Sequence, residues 1–214
     1  MSFEDRSDAG RHLAQRLAML GLVSPVVLGL PRGGIPVAAE IAAVLGAPLE
    51  VFVAHKVGAP GHEELSIGAL AEGLAEPVVS DTARQVGVST ADFEALAQKA
   101  RRELERRVDR YRGDRLLPDL HNRDVIVVDD GMATGVTAEA AVRALRAHRP
   151  RRLLLAVGVC ARQTAERLGS VADEVVCAEA PAPFFAVGQW YRDFSPITDD
   201  EVVDVLERSR CAAG

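Results

Sequence analysis

The sequence predicts an α/β protein with a mostly parallel central sheet and helices on both of its faces. Short apolar runs alternate with segments of helical periodicity along most of the 214 residues. Runs such as VIVV at 125–128 and LLLAVGV at 153–159 are apolar throughout, which is typical of strands that are buried on both faces. Strands that alternate with helices in this way pair in parallel, and their ligands bind beyond the carboxyl ends of the strands.

The first half of the chain opens this alternation and then interrupts it. Leu13, Leu17 and Leu20 recur at helical spacing before Gly21, so the chain should begin with a helix. Two buried strands, VVLGL at 26–30 and LEVFVAHK at 49–56, should flank the helix IPVAAEIAAVLG at 35–46. Residues 57–73 are rich in glycine and show little periodicity. They predict an irregular excursion with one short strand at 67–71.

The second half resumes the alternation. PVVS at 77–80 resembles a strand, DTARQVG a short helix, and residues 92–112 a long helix with one apolar stripe between charged flanks. Further strands are expected at 124–128, 152–159 and 173–179, and further helices at 136–148 and 161–169. We expect one domain over residues 1–214. Residues 181–214 should form a small irregular hood segment that ends in a helix at 199–209.

Composition excludes several classes of protein. The chain is 48% hydrophobic and 26% charged, which argues against disorder, and its net charge of −6 disfavours a nucleic-acid partner. The densest basic run, KARRELERRVDRYR, is interleaved with acids, as on a solvated helix face. Three separated cysteines indicate neither a metal site nor a disulfide framework. With no secretion signal and no membrane-length apolar stretch, we expect a soluble cytoplasmic protein without a membrane partner.

The stretch VIVVDDGMATGVT, residues 125–137, carries the strongest functional signal. A buried strand runs into Asp129 and Asp130, and a loop of small residues then leads to a helix. Backbone N–H groups at such a helix start favour an anion, and Thr134 and Thr137 add hydroxyl donors. Adjacent carboxylates suit sugar hydroxyls or water-mediated Mg²⁺. A plain Asp-Gly turn is the alternative, but strand, acid pair, loop and threonines together favour a phosphosugar site.

This stretch resembles the signature of the type I phosphoribosyltransferases, and the resemblance extends from about residue 26 to the tail. It implies that fold, Mg²⁺ as cofactor, and 5-phosphoribosyl 1-pyrophosphate (PRPP) as donor. It also implies that Asp129 and Asp130 bind the ribose 2′- and 3′-hydroxyls, and Mg²⁺ through water or those hydroxyls. The expected 5′-phosphate loop comprises Gly131, Met132, Ala133, Thr134, Gly135, Val136 and Thr137.

Two more strand ends fit the resemblance. After the first strand, Arg32 offers donors for phosphate oxygens, while Gly33 and Gly34 let backbone amides approach them, although a simple tight turn explains RGG equally well. The resemblance places these three residues on pyrophosphate. Lys56 follows another strand and is expected to add positive charge there, although a lone lysine is commonly just exposed. The predicted catalytic set is therefore Asp129, Asp130, Arg32 and Lys56.

The tail concentrates aromatic residues in a protein that is only 4% aromatic. Either these rings belong to the core, or they close a base pocket as the resemblance suggests. The expected base-binding residues are Phe185, Val187, Trp190 and Tyr191.

The proton-transfer residue is not identified by these motifs. Ala133 stands where 6-oxopurine enzymes of the family usually carry an aspartate, which disfavours hypoxanthine and guanine as acceptors. His55 and Glu64 are candidate substitutes, and Glu63 and Ser66 lie in the same glycine-rich excursion, which resembles the family's closing loop. Dimers are common in the family, and the long helix at 92–112 is a candidate contact for a homodimer.

The predicted reaction transfers the phosphoribosyl group from PRPP to a nitrogenous, heterocyclic acceptor and yields a nucleoside monophosphate and pyrophosphate. A non-catalytic regulatory protein that binds PRPP or a nucleotide on the same fold is the main alternative. A nucleotide or phosphosugar hydrolase is a further one.

Overall fold

The computed structural model describes residues 3–212, without the side chains of Glu63, Glu64 and Ala212. Within those residues the strands are β1 (Val26–Gly29), β2 (Leu49–Val51), β3 (Ala54–Ala59), β4 (His62–Ala71), β5 (Val78–Val79), β6 (Asp124–Met132), β7 (Arg152–Cys160) and β8 (Glu174–Glu179). The α-helices are α1 (Arg6–Ala18), α2 (Gly34–Leu45), α3 (Asp81–Gln85), α4 (Thr90–Arg112), α5 (Val136–Arg146), α6 (Arg162–Leu168) and α7 (Asp199–Ala212). A short 3₁₀ helix spans Val187–Trp190.

The central sheet confirms the predicted fold class. Its described strands lie in the order β2-β1-β6-β7-β8, and every adjacent pair is parallel. The chain adds β2 on one side of β1 and places β6, β7 and β8 on the other, so the strand order changes direction between β1 and β6. Ligands in open parallel sheets bind at the carboxyl ends of such neighbouring strands.

Helices cover both faces of this sheet. Consecutive residues of a strand point to opposite sides, so a strand that is apolar throughout has two apolar faces to bury. In β6, Ile126 and Val128 belong to a core shared with α1, α2, α4 and α7. Val125 and Val127 belong to a second core shared with α5. All four valine and isoleucine side chains of this stretch are fully buried, which explains why it is apolar without alternation.

The glycine-rich region is more regular than the sequence predicted. Residues 57–73 were expected to be irregular, but β3 and β4 form an antiparallel hairpin, and β5 adds a third strand. Gly61 makes the turn with a φ of 72°, and the register shifts on either side of Gly58. Glycines have no side chain that would reveal strand periodicity, and they hid this hairpin. The structure also divides the expected strand at 49–56, whose start joins the parallel sheet as β2 and whose end joins the hairpin as β3.

The end of β6 differs from the prediction, whereas the tail agrees with it. β6 continues through Met132, four residues beyond the expected end at 128, so the acid pair lies within the strand. The tail is irregular and then helical, as predicted, and it returns to the start of the chain. Phe3 forms an isolated bridge with Tyr191, and Phe3 N donates to Trp190 O. Among the described residues, no helix is both long and apolar enough to cross a membrane.

Candidate functional site

The acid pair lies at the carboxyl end of β6, immediately after four fully buried residues. Asp129 and Asp130 are half-buried, and Asp130 N donates to Asp129 Oδ1 over 2.9 Å. Burial, together with the neighbouring Asp130 carboxylate, raises the pKa of Asp129 well above its ordinary value. The pair therefore consists of two carboxyl groups that interact strongly at the edge of the core.

The loop at 31–34 packs directly against this pair. A Cβ atom added to Gly33 would lie 1.9 Å from Asp130 Oδ2, and one added to Gly34 would lie 2.4 Å from Val128 O. Only glycine permits so close an approach at either position. The structure thus brings together two predicted site segments that are separated by about one hundred residues in the sequence.

Arg32 stands at the exposed end of the same loop, after a cis Pro31–Arg32 peptide bond. Its Nη1 lies 4.0 Å from Asp199 Oδ1, at the start of α7. The other oxygen of Asp199 lies 3.8 Å from Arg106 Nη2, and Tyr111 donates a hydrogen bond of 2.6 Å to Oδ1. The Asp199 carboxylate therefore lies between Arg32 and Arg106 of α4.

Residues 133–135 form the short loop between β6 and α5, and Gly135 has a φ of 67°. Gly131 and Met132, which were expected in the loop, lie in β6 instead, where they pair with Val159 and Cys160. Val136 and Thr137 begin α5.

The loop's carbonyl groups are held from its outer side by the region of α6. Thr164 Oγ1 donates to Ala133 O over 2.5 Å, and Arg167 Nη2 donates to Thr134 O over 2.6 Å. Arg167 is in turn paired with Glu139 of α5. These contacts direct the loop's carbonyl oxygens towards α6, away from its inner side.

The amide groups of the loop are left available. Within residues 3–212, the N–H groups of Ala133, Thr134 and Gly135 donate to no other residue, nor do the hydroxyls of Thr134 and Thr137. The loop also precedes the N-terminus of α5, where the helix dipole favours negative charge. Proteins commonly bind a phosphate group at free donors of this kind, and residues 133–137 are therefore called the amide cup.

Lys56 was expected to follow a strand, but the structure places Lys56 and His55 within β3, in the antiparallel sheet outside the central one. They line a cleft of about 720 Å³ between the β3–β4 hairpin and α4, together with Arg106, Arg107 and Glu103. Hydrogen bonds from Arg106 and Arg107 lower the pKa of Glu103 to about 2. Burial, and then the charge of Arg107, lowers the pKa of His55, so its imidazole is neutral at physiological pH. Through Arg106 and Asp199 this cleft adjoins Arg32.

The predicted base-binding residues of the tail differ in how far their side chains are exposed. Phe185 is 77% exposed, whereas Tyr191 is buried and donates from its hydroxyl to Asp130 O over 2.6 Å. Val187 lies against Gly131, where an added Cβ would meet Val187 Cγ1 at 2.2 Å. Trp190 is partly buried against the core. Tyr191 thus supports the acid pair itself, and Phe185 presents an open aromatic face.

Sequence reasoning missed Arg6 and Gly158. Arg6 Nε donates to Asp130 Oδ2 over 2.8 Å, from a position 124 residues earlier. A Cβ on Gly158 would lie 2.1 Å from Tyr191 Oη and 2.7 Å from Asp130 O. Neither residue belongs to a motif, so no local pattern could have identified it. The side chain of Glu64, a candidate proton-transfer residue, lies outside the described part of the chain.

The carboxylates are chemically suited to Mg²⁺, which takes one or two carboxylates together with substrate oxygens and water. Within the described residues, no group of three or more His, Cys, Asp or Glu side chains could hold a metal ion. Asp129 and Asp130 are two such carboxylates, side by side at the end of β6.

Comparisons with known proteins agree with this geometry. A family model described as the phosphoribosyl transferase domain matches residues 3–191. A Mycobacterium tuberculosis H37Rv protein named "Putative phosphoribosyl transferase Rv0571c" is 47% identical over 207 residues, which are 97% of this chain. A protein of strain CDC 1551 matches equally, and the chain spans 47% of the length of each relative.

A solved structure extends the comparison to three dimensions. The crystal structure of TT1426 from Thermus thermophilus has a TM-score of 0.80 and 44% identity, covering 97% of this chain and 99% of that one. The match to the family model includes the acid pair, the loop at 31–34 and the loop at 133–135. This chain belongs to the phosphoribosyl transferase domain family.

Proposed function

We propose that the protein is a phosphoribosyltransferase that uses PRPP as donor and a nitrogen of a heterocyclic base as acceptor. The bond between ribose C1 and a pyrophosphate oxygen breaks, a C1–N bond forms, and the acceptor nitrogen loses its proton. The convergence of Asp129 and Asp130, the close glycine loop and the open amide cup at one sheet edge carries this proposal. Family membership supports the reaction class.

The 5′-phosphate binds in the cup. The amides of residues 133–137 and the hydroxyls of Thr134 and Thr137 donate to it, while α6 holds the loop's carbonyl oxygens away from the anion. Asp129 and Asp130 accept from the ribose hydroxyls. Gripping the sugar at both ends fixes C1 relative to the leaving group, which supplies much of the rate gain in such reactions.

The pyrophosphate binds beside Gly33 and Gly34. Because Gly34 N already donates to Leu30 O over 3.0 Å, the backbone amide that approaches the pyrophosphate is that of Gly33. Arg32 and Lys56 add positive charge that stabilises the departing pyrophosphate. Asp129 and Asp130 would hold Mg²⁺, which would supply further neutralisation of that charge. The flat acceptor ring stacks on the aromatic tail, for which Phe185 offers an exposed face.

Pyrophosphate release tests this proposal. The enzyme is incubated with PRPP, Mg²⁺ and a panel of purine and pyrimidine bases, and pyrophosphate and phosphate are measured separately. Pyrophosphate that appears only with one base names the acceptor. Tight PRPP binding without turnover on any base would favour a regulatory protein, and phosphate release without a base would favour a hydrolase. Either result would overturn the proposed transfer.

A variant at the acid pair tests the site directly. Asp130→Asn should weaken PRPP binding about tenfold or more, since a hydrogen bond to a charged group contributes about 1.5–3 kcal/mol. Calorimetry with Mg²⁺ measures the affinity. Glu174→Gln, at the start of β8 and thus at the opposite end of the sheet, is the control. Unchanged affinity in Asp130→Asn would count against the assigned sugar site.

A further inference from the structure

Arg6 joins three distant parts of the molecule at the acid pair. It lies in the first turn of α1 and is only 8% exposed. Its Nε donates to Asp130 Oδ2 over 2.8 Å, and its Nη1 donates to Ser195 O over 2.9 Å. The guanidinium carbon lies 3.9 Å from the centre of the Phe194 ring. These contacts leave the guanidinium with one orientation.

Asp130 is held from two directions as a result. Arg6 fixes one carboxylate oxygen, and the Tyr191 hydroxyl fixes the backbone carbonyl of the same residue. Within residues 3–212, Asp130 Oδ1 accepts no hydrogen bond from an N–H group or a hydroxyl. Arg6 therefore holds one oxygen of this carboxylate, and the Asp130 side chain also lies within hydrogen-bonding reach of the Asp129 carboxyl.

The packing of α1 does not require a charge at this position. Ala9, Leu13, Ala14 and Leu17 bury the helix in the core without it. A buried ion pair adds little net stability, because the cost of removing two charges from water offsets their attraction. Placing an arginine at position 6 is therefore better explained by what it does to Asp130 than by the docking of α1.

We propose that Arg6 is a positioning residue for sugar recognition. By binding Oδ2 it directs Oδ1 of Asp130 towards the ribose hydroxyls and keeps the carboxylate from rotating. Arg6 acts through Asp130 and does not touch the sugar. This inference rests on the proposed function, since it assumes that Asp130 binds a phosphorylated ribose.

Arg11 provides a matched control on the same helix. Its side chain is 51% exposed and pairs with Asp8 at 3.2 Å and with Glu40 at 3.9 Å. Arg11→Gln removes the same charge from α1 without reaching the acid pair. Any effect of Arg6→Gln that exceeds that of Arg11→Gln therefore belongs to the contact with Asp130 and the tail.

Two probes separate a positioning role from a structural one. Ribose 5-phosphate requires both the cup and the acid pair, whereas inorganic phosphate requires the cup alone. Calorimetry without Mg²⁺ measures both affinities in the wild type, Arg6→Gln, Arg6→Lys, Arg11→Gln, Asp130→Asn and the double variant of Arg6→Gln with Asp130→Asn. Circular dichroism checks that each variant is folded.

Arg6→Gln should weaken ribose 5-phosphate about tenfold and inorganic phosphate less than about twofold. The double variant should bind no more weakly than Asp130→Asn, because both changes remove one interaction. Arg6→Lys should recover part of the affinity, since one ammonium group cannot serve both Asp130 and Ser195 as the guanidinium does. If Arg6→Gln does not fold, the proposal is still supported when the affinity of Arg6→Lys for ribose 5-phosphate lies between those of the wild type and Asp130→Asn.

Three results would overturn it. Arg6→Gln and Arg6→Lys could match Arg11→Gln, both probes could weaken equally, or the effects of Arg6→Gln and Asp130→Asn could add in full. In each case the wild type still binds ribose 5-phosphate, so the proposed function stands without a role for Arg6. If the wild type binds ribose 5-phosphate no better than inorganic phosphate, the proposed function fails, and this inference fails with it.

Discussion

At the scale of single residues, glycines bring the parts of the site into contact. Sequence reasoning assigned Gly33 to backbone approach towards pyrophosphate, and the structure adds an approach towards Asp130. Gly158 has the same role on the opposite side, where it leaves room for the Tyr191 hydroxyl to reach Asp130 O. Asp130 is thus flanked by two positions at which a Cβ atom cannot be accommodated.

Gly33→Ala should weaken PRPP binding about tenfold or more, because the new methyl group must displace the Asp130 carboxylate from 1.9 Å away. The fold should change little, since Gly33 lies in a partly exposed loop. Calorimetry and the thermal midpoint are the measurements. Gly169→Ala, where the nearest atom would be 3.3 Å away, is the control. Equal affinity in both variants would show that Gly33 does not constrain the acid pair.

Asp124 stabilises the start of the central strand. The carboxylate is fully buried, and it accepts from Arg151, Arg152 and Val23 N. Although burial raises the pKa of Asp124, these hydrogen bonds hold it below the ordinary value. A lowered pKa stabilises the fold above the unfolded-state pKa, and this stabilisation is lost as the pH falls through the folded-state value.

Asp124→Asn should therefore lower the free energy of unfolding at pH 7 by about 2 kcal/mol, or roughly 4–8 °C in thermal midpoint. The gap between the wild type and the variant should narrow below about pH 4, as the wild-type carboxylate is protonated. Thermal unfolding at pH 7 and pH 3 measures both effects. A gap that stayed constant over this range would mean that the ionised carboxylate is not the stabilising form.

At the scale of secondary structure, α6 supports the phosphate cup from behind. Thr164→Val keeps the side-chain shape but removes the hydrogen bond to Ala133 O. We expect inorganic phosphate to bind about fivefold more weakly, with little change in the thermal midpoint, because the loop loses one of its fixed carbonyl groups. Thr82→Val in α3 is the control. An equal loss of phosphate affinity in Thr164→Val and Thr82→Val would indicate a general effect on the fold.

The elements themselves could be predicted wherever side chains carry a period. The long helix was expected at 92–112 and begins at Thr90, where Ser89 caps it by accepting from Asp92 N. The hairpin of β3 and β4 could not be predicted, because its glycines carry no apolar alternation and cross-strand pairing is not visible in one strand. The extension of β6 through the acid pair was missed for a related reason. Only pairing with β7 keeps polar residues in a strand.

The candidate site could be predicted only where it is local in sequence. The acids, the small-residue loop and the threonines lie within thirteen residues of one another, and their pattern is legible. Arg6, Thr164, Arg167 and Tyr191 reach the same place from other elements through tertiary contacts. Their roles depend on distances that a sequence does not contain.

At the scale of the whole molecule, the N-terminal helix and the tail segment at 190–195 meet at the sheet's carboxyl edge. Arg6 binds Asp130 and Ser195. The Phe3 ring packs at a tilt against Tyr191, whose ring stacks on Phe194. A ligand that binds Asp130 would therefore contact a residue at which the N-terminal helix, the central strand and the tail meet. This arrangement predicts that ligand binding stabilises the fold as a unit.

PRPP with Mg²⁺ at about one hundred times its dissociation constant should add about 2.7 kcal/mol to the stability of the fold. The thermal midpoint should rise by roughly 5–11 °C, in a single transition. Asp130→Asn, which should bind PRPP about tenfold or more weakly, should show about half that rise or less at the same ligand concentration. A ligand-dependent rise that is identical in this variant would place the binding site elsewhere.

The proposed site requires that the acid pair and the amide cup hold the two ends of one phosphorylated ribose. A crystal structure of the protein with ribose 5-phosphate tests it most directly. The phosphate should accept hydrogen bonds from the amides of residues 133–137, with both ring hydroxyls on Asp129 and Asp130. A sugar phosphate bound away from this edge, or turned with its hydroxyls away from both carboxylates, would contradict the claim.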